Sequence, residues 1–194
     1  SSLTLIGPPM KASPEYARGS QQIVYGGENH NTTVSGVTPD FQTVRNFKPD
    51  RGDFVTEEDL RTRAKVAVIG KTVATRLFGE ADPIGQRVKI RGVTFTVVGV
   101  MEEKGATSFA DRDDVVYVPL TTAQRRLYGV LHVRTIQVQV ASAEEMTEAQ
   151  AALTELLRTR HRLGPNDDDD FTVRNQADIL QAFTSVSQTM TTLL

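Results

Sequence analysis

The sequence predicts an α+β protein on three observations. Gln86 to Val100 alternates polar and apolar residues on either side of Arg91-Gly92, as a hairpin with one buried face does. Thr135 to Val140 alternates strictly, and Met146, Ala149, Leu153, Leu156 and Leu157 then recur at helical spacing before Phe171-Thr172-Val173 resumes extended structure, a β-α-β reading. Hydrophobic residues are 39% and charged residues 24% of 194, which suits a folded core; that length permits two compact lobes without requiring them.

Taken in order, Leu3-Thr4-Leu5-Ile6 is a short strand stopped by Gly7-Pro8-Pro9. Ile23, Val24, Tyr25, Val34 and Val37 flank Gly26 to Asn31, whose Gly and Asn residues suit a hairpin turn, so Ser20 to Val37 reads as two strands. Thr38-Pro39-Asp40 interrupts them, and Lys48-Pro49-Asp50-Arg51-Gly52-Asp53 reads as a turn-rich surface loop. Thr56 with Asp59 is a helix-starting cap. Val66 to Ile69 is a buried strand ended by Gly70, and Val73, Leu77 and Phe78 share one face of a helix closed by Gly79. Glu102 to Asp114 is a charged loop, and Val115 to Val118 is a strand closed by Pro119. Ser142 and Glu145 read as a capping box for the long helix. Ile179, Leu180, Phe183, Val186, Met190, Leu193 and Leu194 describe a final amphipathic helix.

Several tempting chemistries fall away. Gly70-Lys71-Thr72 follows a strand as a phosphate loop would, but Lys65 stands where the first glycine of that motif belongs. Asp167 to Asp170 lacks the glycine and terminal Glu of a calcium loop and reads as a solvated surface segment. His30, His132 and His161 have no metal-ligand spacing, and Glu57-Glu58-Asp59 suits the first turn of a helix better than acid-base work. Asn31-Thr32-Thr33 fits a glycosylation acceptor in form alone. Cysteine is absent, and no serine elbow or dinucleotide glycine fingerprint occurs. We therefore expect no catalytic residues, no metal and no cofactor. A net charge of -2 with interspersed signs gives no electrostatic footprint for nucleic acid. No apolar run approaches the roughly 20 residues that span a bilayer, so the sequence reads as a soluble fragment or processed form.

Four motifs in order carry a resemblance: Val66-Ala67-Val68-Ile69-Gly70; Ala74-x-x-Leu77-Phe78-Gly79; Asp82-Pro83-Ile84-Gly85-Gln86-x-Val88-x-Ile90; and Gly92-x-x-Phe95-x-Val97-Val98-Gly99-Val100. Together they resemble the periplasmic core domain of MacB-type ABC transporter permeases, and the likeness extends from about Ile23 to Phe171. Gly70, Phe78, Gly79, Pro83, Ile84, Gly85, Gly92, Phe95 and Gly99 are scaffold in this reading, making turns and a sheet face. Where family members carry a longer stretch with a helix after the first strand, only Gly7 to Lys11 precedes Ala12-Ser13-Pro14-Glu15 here.

The resemblance implies a β-α-β layered, porter-like lobe from both chain ends (1–40 and 133–178) and a small antiparallel β-rich inserted lobe (41–132). It also implies that residues 179–194 lead toward a missing transmembrane segment. Such a domain is non-catalytic, lies on the periplasmic or extracellular face of the bacterial cytoplasmic membrane, and passes the cycle of a separate cytoplasmic ATPase to a partner or cargo. Its implied partners are the rest of the permease and its ATPase, a periplasmic adaptor protein, and a second copy in a homodimer. The candidate contacts are Asp111 and Asp113 in the charged loop and Glu28 and Asn29 in the first hairpin, because loops on a rigid scaffold carry recognition. The alternative is a cargo-capturing domain with a cleft between the lobes.

Overall fold

The computed structural model describes residues 10–107 and 110–175, so the expected strand Leu3–Ile6 and helix 179–194 lie outside the described residues. Strand β1 (Met10–Tyr25) turns at Gly26-Gly27 into β2 (Glu28–Val37), with Tyr25 opposite Glu28 and Ile23 opposite His30. The turn is shorter than expected because Gly26, at φ 57°, reverses the chain at once. Glu28 and Asn29 are thereby strand residues, not loop residues.

There follow α1 (Phe41–Val44), β3 (Pro49–Gly52), α2 (Glu57–Thr62), β4 (Val66–Ile69), α3 (Lys71–Phe78), β5 (Arg87–Ile90) and β6 (Val93–Met101). The two-residue strands β7 (Ala106–Thr107) and β8 (Ala110–Asp111) pair within the charged loop ahead of β9 (Val115–Pro119). Helix α4 (Leu120–Thr122) runs into a π-helical turn over Ala123–Tyr128, and β10 (Thr135–Val140) and α5 (Met146–His161) complete the elements. No helix among the described residues is long and apolar enough to cross a membrane.

Three local expectations change. Lys48 to Asp53 is partly strand: β3 pairs antiparallel with β6, and its Pro and Gly sit at the two ends, where an edge strand tolerates them. The capping box expected at Ser142 and Glu145 does not form. Glu145 already has helical φ and ψ, its side chain caps nothing, and the Ser142 hydroxyl is engaged by Glu144. Phe171 to Val173 joins no strand among the described residues. The box at Thr56 does form: the Thr56 hydroxyl accepts from the Asp59 N–H at 3.2 Å, and the Asp59 carboxylate accepts from the Thr56 N–H at 2.9 Å.

The main sheet runs β10-β1-β2-β9-β4-β6-β3, and β5 pairs with both β6 and β1. The path β1-β2-β9-β4-β6-β5 therefore returns to β1, and six strands form a closed ring. It is mixed, not wholly antiparallel, because β2 with β9 and β4 with β6 are parallel pairs; each needs a crossover, which α3 and the β5 hairpin supply between β4 and β6. Strands β4 and β9 bury both faces, which is why Val66 to Ile69 and Val115 to Pro119 are continuous apolar runs. On one side Ile69, Val116 and Val118 join Ile23, Val34, Val88, Phe95 and Val97 with Leu77 and Phe78 of α3; on the other Val68 and Tyr117 meet Phe41, Phe47, Phe54 and Met101.

Contacts divide the chain into two compact units, 1–11 with 139–194, and 12–138. The expected boundaries lie at 40/41 and 132/133; residues 12–40 fall instead within the larger unit because β2 pairs along β9 from Thr33–Val115 to Val37–Pro119. In the smaller unit α5 buries Ala149 and half-buries Met146, Leu153, Leu156 and Leu157, the predicted stripe.

Candidate interaction surface

Strand register gathers the two candidate segments at one end of the sheet. Thr33 lies beside Val115 in the parallel pair, and Ile69 lies beside both Val116 and Val100. The start of β2, the Gly70-Lys71-Thr72 junction and the loop from Glu102 to Asp114 therefore share that end.

The loop is clasped to the scaffold by its own acids. Asp113 is only 3% exposed, and its carboxylate accepts the backbone N–H groups of Lys104 at 2.9 Å and Gly105 at 2.8 Å. Asp111 accepts from the Thr72 hydroxyl at 2.7 Å and from the Asp113 N–H at 2.8 Å. Asp114 lies 2.8 Å from Nε2 of His30, a pairing across 84 residues that nothing in the sequence announces. The Lys104 ammonium, 3.0 Å from Glu102, and the Lys48 N–H together hold the Glu102 carboxyl below its usual range.

Gly70 makes this docking possible. Its N–H donates to the Val115 carbonyl at 2.8 Å, the Thr72 N–H donates to the Asp113 carbonyl at 3.2 Å, and a Cβ at Gly70 would collide with that Asp113 carbonyl. The Gly-Lys-Thr segment thus seats a loop at a strand-to-helix junction.

Of the four candidate contacts, Glu28, Asn29 and Asp111 are exposed at this end. Asp113 is turned inward; its charge organises the loop, so it has no face to offer a partner. The scaffold residues occupy structural positions. Phe78 packs on Tyr25 with ring centroids 4.2 Å apart, and Phe95 is fully buried. Gly79 ends α3 at φ 56°. Pro83, Ile84 and Gly85 form a turn in which the Gln86 N–H donates to the Pro83 carbonyl at 3.1 Å and Gly85 takes φ 82°. Asp82 holds that turn by accepting the Ile84 N–H, which with Arg51 lowers its pKa. Gly92 turns the β5–β6 hairpin at φ 81°, and Gly99 lets the Asp53 carbonyl approach β6.

The Asp167 to Asp170 run is tied down rather than simply solvated. Asp167 accepts the Gly164 N–H at 2.6 Å, Asp169 pairs with Arg158, and Asp170 lies 2.7 Å from Nδ1 of His161. Among the described residues no group of three His, Asp or Glu side chains is placed to hold a metal ion.

Residues 5–156 match the family model of the MacB-like periplasmic core domain. A macrolide export ATP-binding/permease protein MacB of Bdellovibrio bacteriovorus is 45% identical over 177 residues, 91% of this chain and 27% of that protein. Its counterpart in Chlorobaculum tepidum is 42% identical over 172 residues, 89% of this chain and 26% of that protein. The chain thus spans about a quarter of the length of these curated relatives. Among solved structures, the periplasmic region of MacB from Actinobacillus actinomycetemcomitans shares the fold with a TM-score of 0.77 at 22% identity, covering 93% of this chain and 78% of that one. The extracellular domain of the noncanonic ABC-type transporter YknZ from Gram-positive bacteria gives 0.71 at 21% identity, covering 82% and 79%.

Proposed function

The chain belongs to the MacB-like periplasmic core domain family, and on that premise we propose that it is the non-catalytic extracytoplasmic part of an exporter permease, relaying ATP-driven motion to a partner protein or cargo. The observation that carries this reading is the 45% identity to an export permease of which the chain matches 27% of the length. ATP hydrolysis then belongs to a separate nucleotide-binding domain, and the chain joins the membrane through flanking helices. A homodimeric permease and a periplasmic adaptor are part of the same proposal. So is a two-lobed organisation, with its boundaries at the contact units 1–11 with 139–194 and 12–138, because the strands of 12–40 are members of the closed ring.

A closed ring of strands filled with side chains suits such a relay, since a close-packed interior transmits displacement instead of absorbing it. The outward residues Glu28, Asn29 and Asp111 at the clasped end are the proposed contacts. The test uses single cysteines at Glu28 and Asn29 in the full-length transporter, freed of other cysteines. Partner capture by a thiol cross-linker from these positions, and not from a cysteine at Arg76 on α3, is the expected result. Unimpaired export with a bulky maleimide at both positions would sink the contact assignment.

Cargo capture is the alternative reading. Its place would be an open groove within the smaller unit, lined by Gln150, Thr154, Arg158, Leu163 and Pro165, and not the cleft between lobes expected from the sequence. A rise in melting temperature with a candidate cargo would support it, because a ligand of the folded state alone stabilises that state.

A further inference from the structure

At the other end of the sheet, arginines collect on a pair of tyrosines. Tyr16 and Tyr128 lie with ring centroids 5.1 Å apart. The guanidinium carbons of Arg18 and Arg91 stand 5.7 and 5.6 Å from the Tyr128 centroid, and that of Arg134 stands 5.6 Å from Tyr16. Four separate elements of the chain build the group: β1 brings Tyr16 and Arg18, two apart on one strand face; the β5–β6 turn brings Arg91; the π-helical turn brings Tyr128; and Arg134 donates its N–H to the Glu15 carbonyl at 3.0 Å.

All three arginines are exposed, and among the described residues none forms an ion pair. Arg91 donates to Oε1 of Gln21, a neutral acceptor. Glu15, the acid nearest Arg18 in sequence, accepts from the Ser35 hydroxyl at 2.6 Å and forms no ion pair with the arginines. Arg51, Arg61 and Arg158 each meet a carboxylate, whereas arginines such as Arg76 and Arg126 do not; what distinguishes Arg18, Arg91 and Arg134 is their convergence on two adjoining rings. In a protein with 24 acidic against 22 basic residues, three guanidiniums gathered on two adjoining rings without an ion pair are a local excess against the overall balance.

We propose that this face is a docking site for an acidic segment of a partner protein, its carboxylates received by Arg18, Arg91 and Arg134. A guanidinium lying over an aromatic ring has its plane set, which leaves N–H groups along its edge free to meet a planar carboxylate in a two-point bond. Tyrosine and arginine together are the composition of interface anchors. Leu131, 70% exposed and three residues before Arg134, offers an apolar side chain on the same connection. The cluster contains no lysine, whereas attraction to a lipid surface is served as well by lysine and needs no ring to orient the cation. The face is distinct from the clasped end, and its binding can be measured whether or not the transporter reading holds.

The test titrates the whole 194-residue chain with a dye-labelled octaglutamate peptide by fluorescence anisotropy at low salt. The patch variant carries Arg18→Gln, Arg91→Gln and Arg134→Gln; the control loses the same charge through Lys65→Gln, Arg76→Gln and Arg160→Gln. Circular dichroism and melting curves check that both stay folded. The patch variant is expected to bind at least about tenfold more weakly than the parent and the control to change less than about twofold, with parent affinity falling as salt rises. Equal losses in the two variants, no measurable binding by the parent, or displacement of the peptide by phosphatidylglycerol vesicles would each overturn the proposal.

Discussion

Tyr128 packs its ring beside Tyr16 under two arginines, while its hydroxyl is enclosed without a hydrogen-bond partner. Burial pushes its pKa up to about 12, although Arg91 and Arg18 pull the other way. An unfolded tyrosine releases its proton near about pH 10, where the folded one still holds it, so this group's contribution to stability is complete below about pH 10 and is lost as pH rises toward about 12. Tyr128→Phe removes both the titration and the unpaired hydroxyl. Its melting temperature should equal or exceed the parent's at neutral pH and fall less steeply above about pH 10. Parallel melting-temperature profiles across the alkaline range would refute this. Tyr117 is also raised by burial and titrates in both proteins, so the comparison isolates Tyr128. At this scale Asp113 and Tyr128 make one point: a residue type shows in the sequence, but whether its polar atom faces water, backbone or nothing depends on segments far away in the chain.

Helix α3 and the charged loop show how elements are joined. The alternation of β5 and β6, the stop at Gly79 and the Thr56 capping box were all legible, because each depends on residues within a few positions of one another. The Ser142 and Glu145 box was legible and absent: two acidic neighbours compete there, and Ser142 pairs with Glu144 before the helix begins. The seating of the loop was not legible, because Gly70 is required by a carbonyl 43 residues downstream. Gly70→Ala should therefore cost about 1–3 kcal/mol by forcing the loop off the junction, while Gly27→Ala, with nothing near its Cβ, should cost less than about 1 kcal/mol. Urea denaturation of the two variants measures the difference. Equal stability would mean that the loop yields freely and Gly70 is a plain strand stop.

In the whole molecule, stability concentrates where the ring closes. Among the described residues, every member of both core clusters lies within 12–138, so a chain trimmed to that range should still unfold in one cooperative urea transition. A broad, non-cooperative transition would show that the remaining residues are needed to complete that core. The sequence by itself determined β2, α2, β4, α3, the β5–β6 hairpin, β9, β10 and α5, with most of their buried faces, and the family, because periodicity, caps and turn residues act over short range and the four motifs keep their order. The elements α1, β3 and the π-helical turn carried no such local signal. It also pointed to the first hairpin and the charged loop as surface features. Only the tertiary structure decided that β5 closes a mixed ring, that Asp113 is a buried clasp while Asp111 stays exposed, and that three arginines share two tyrosine rings. Those outcomes are set by strand pairing between segments tens of residues apart, and a single sequence carries no periodic or local signal for which strand a given edge will meet.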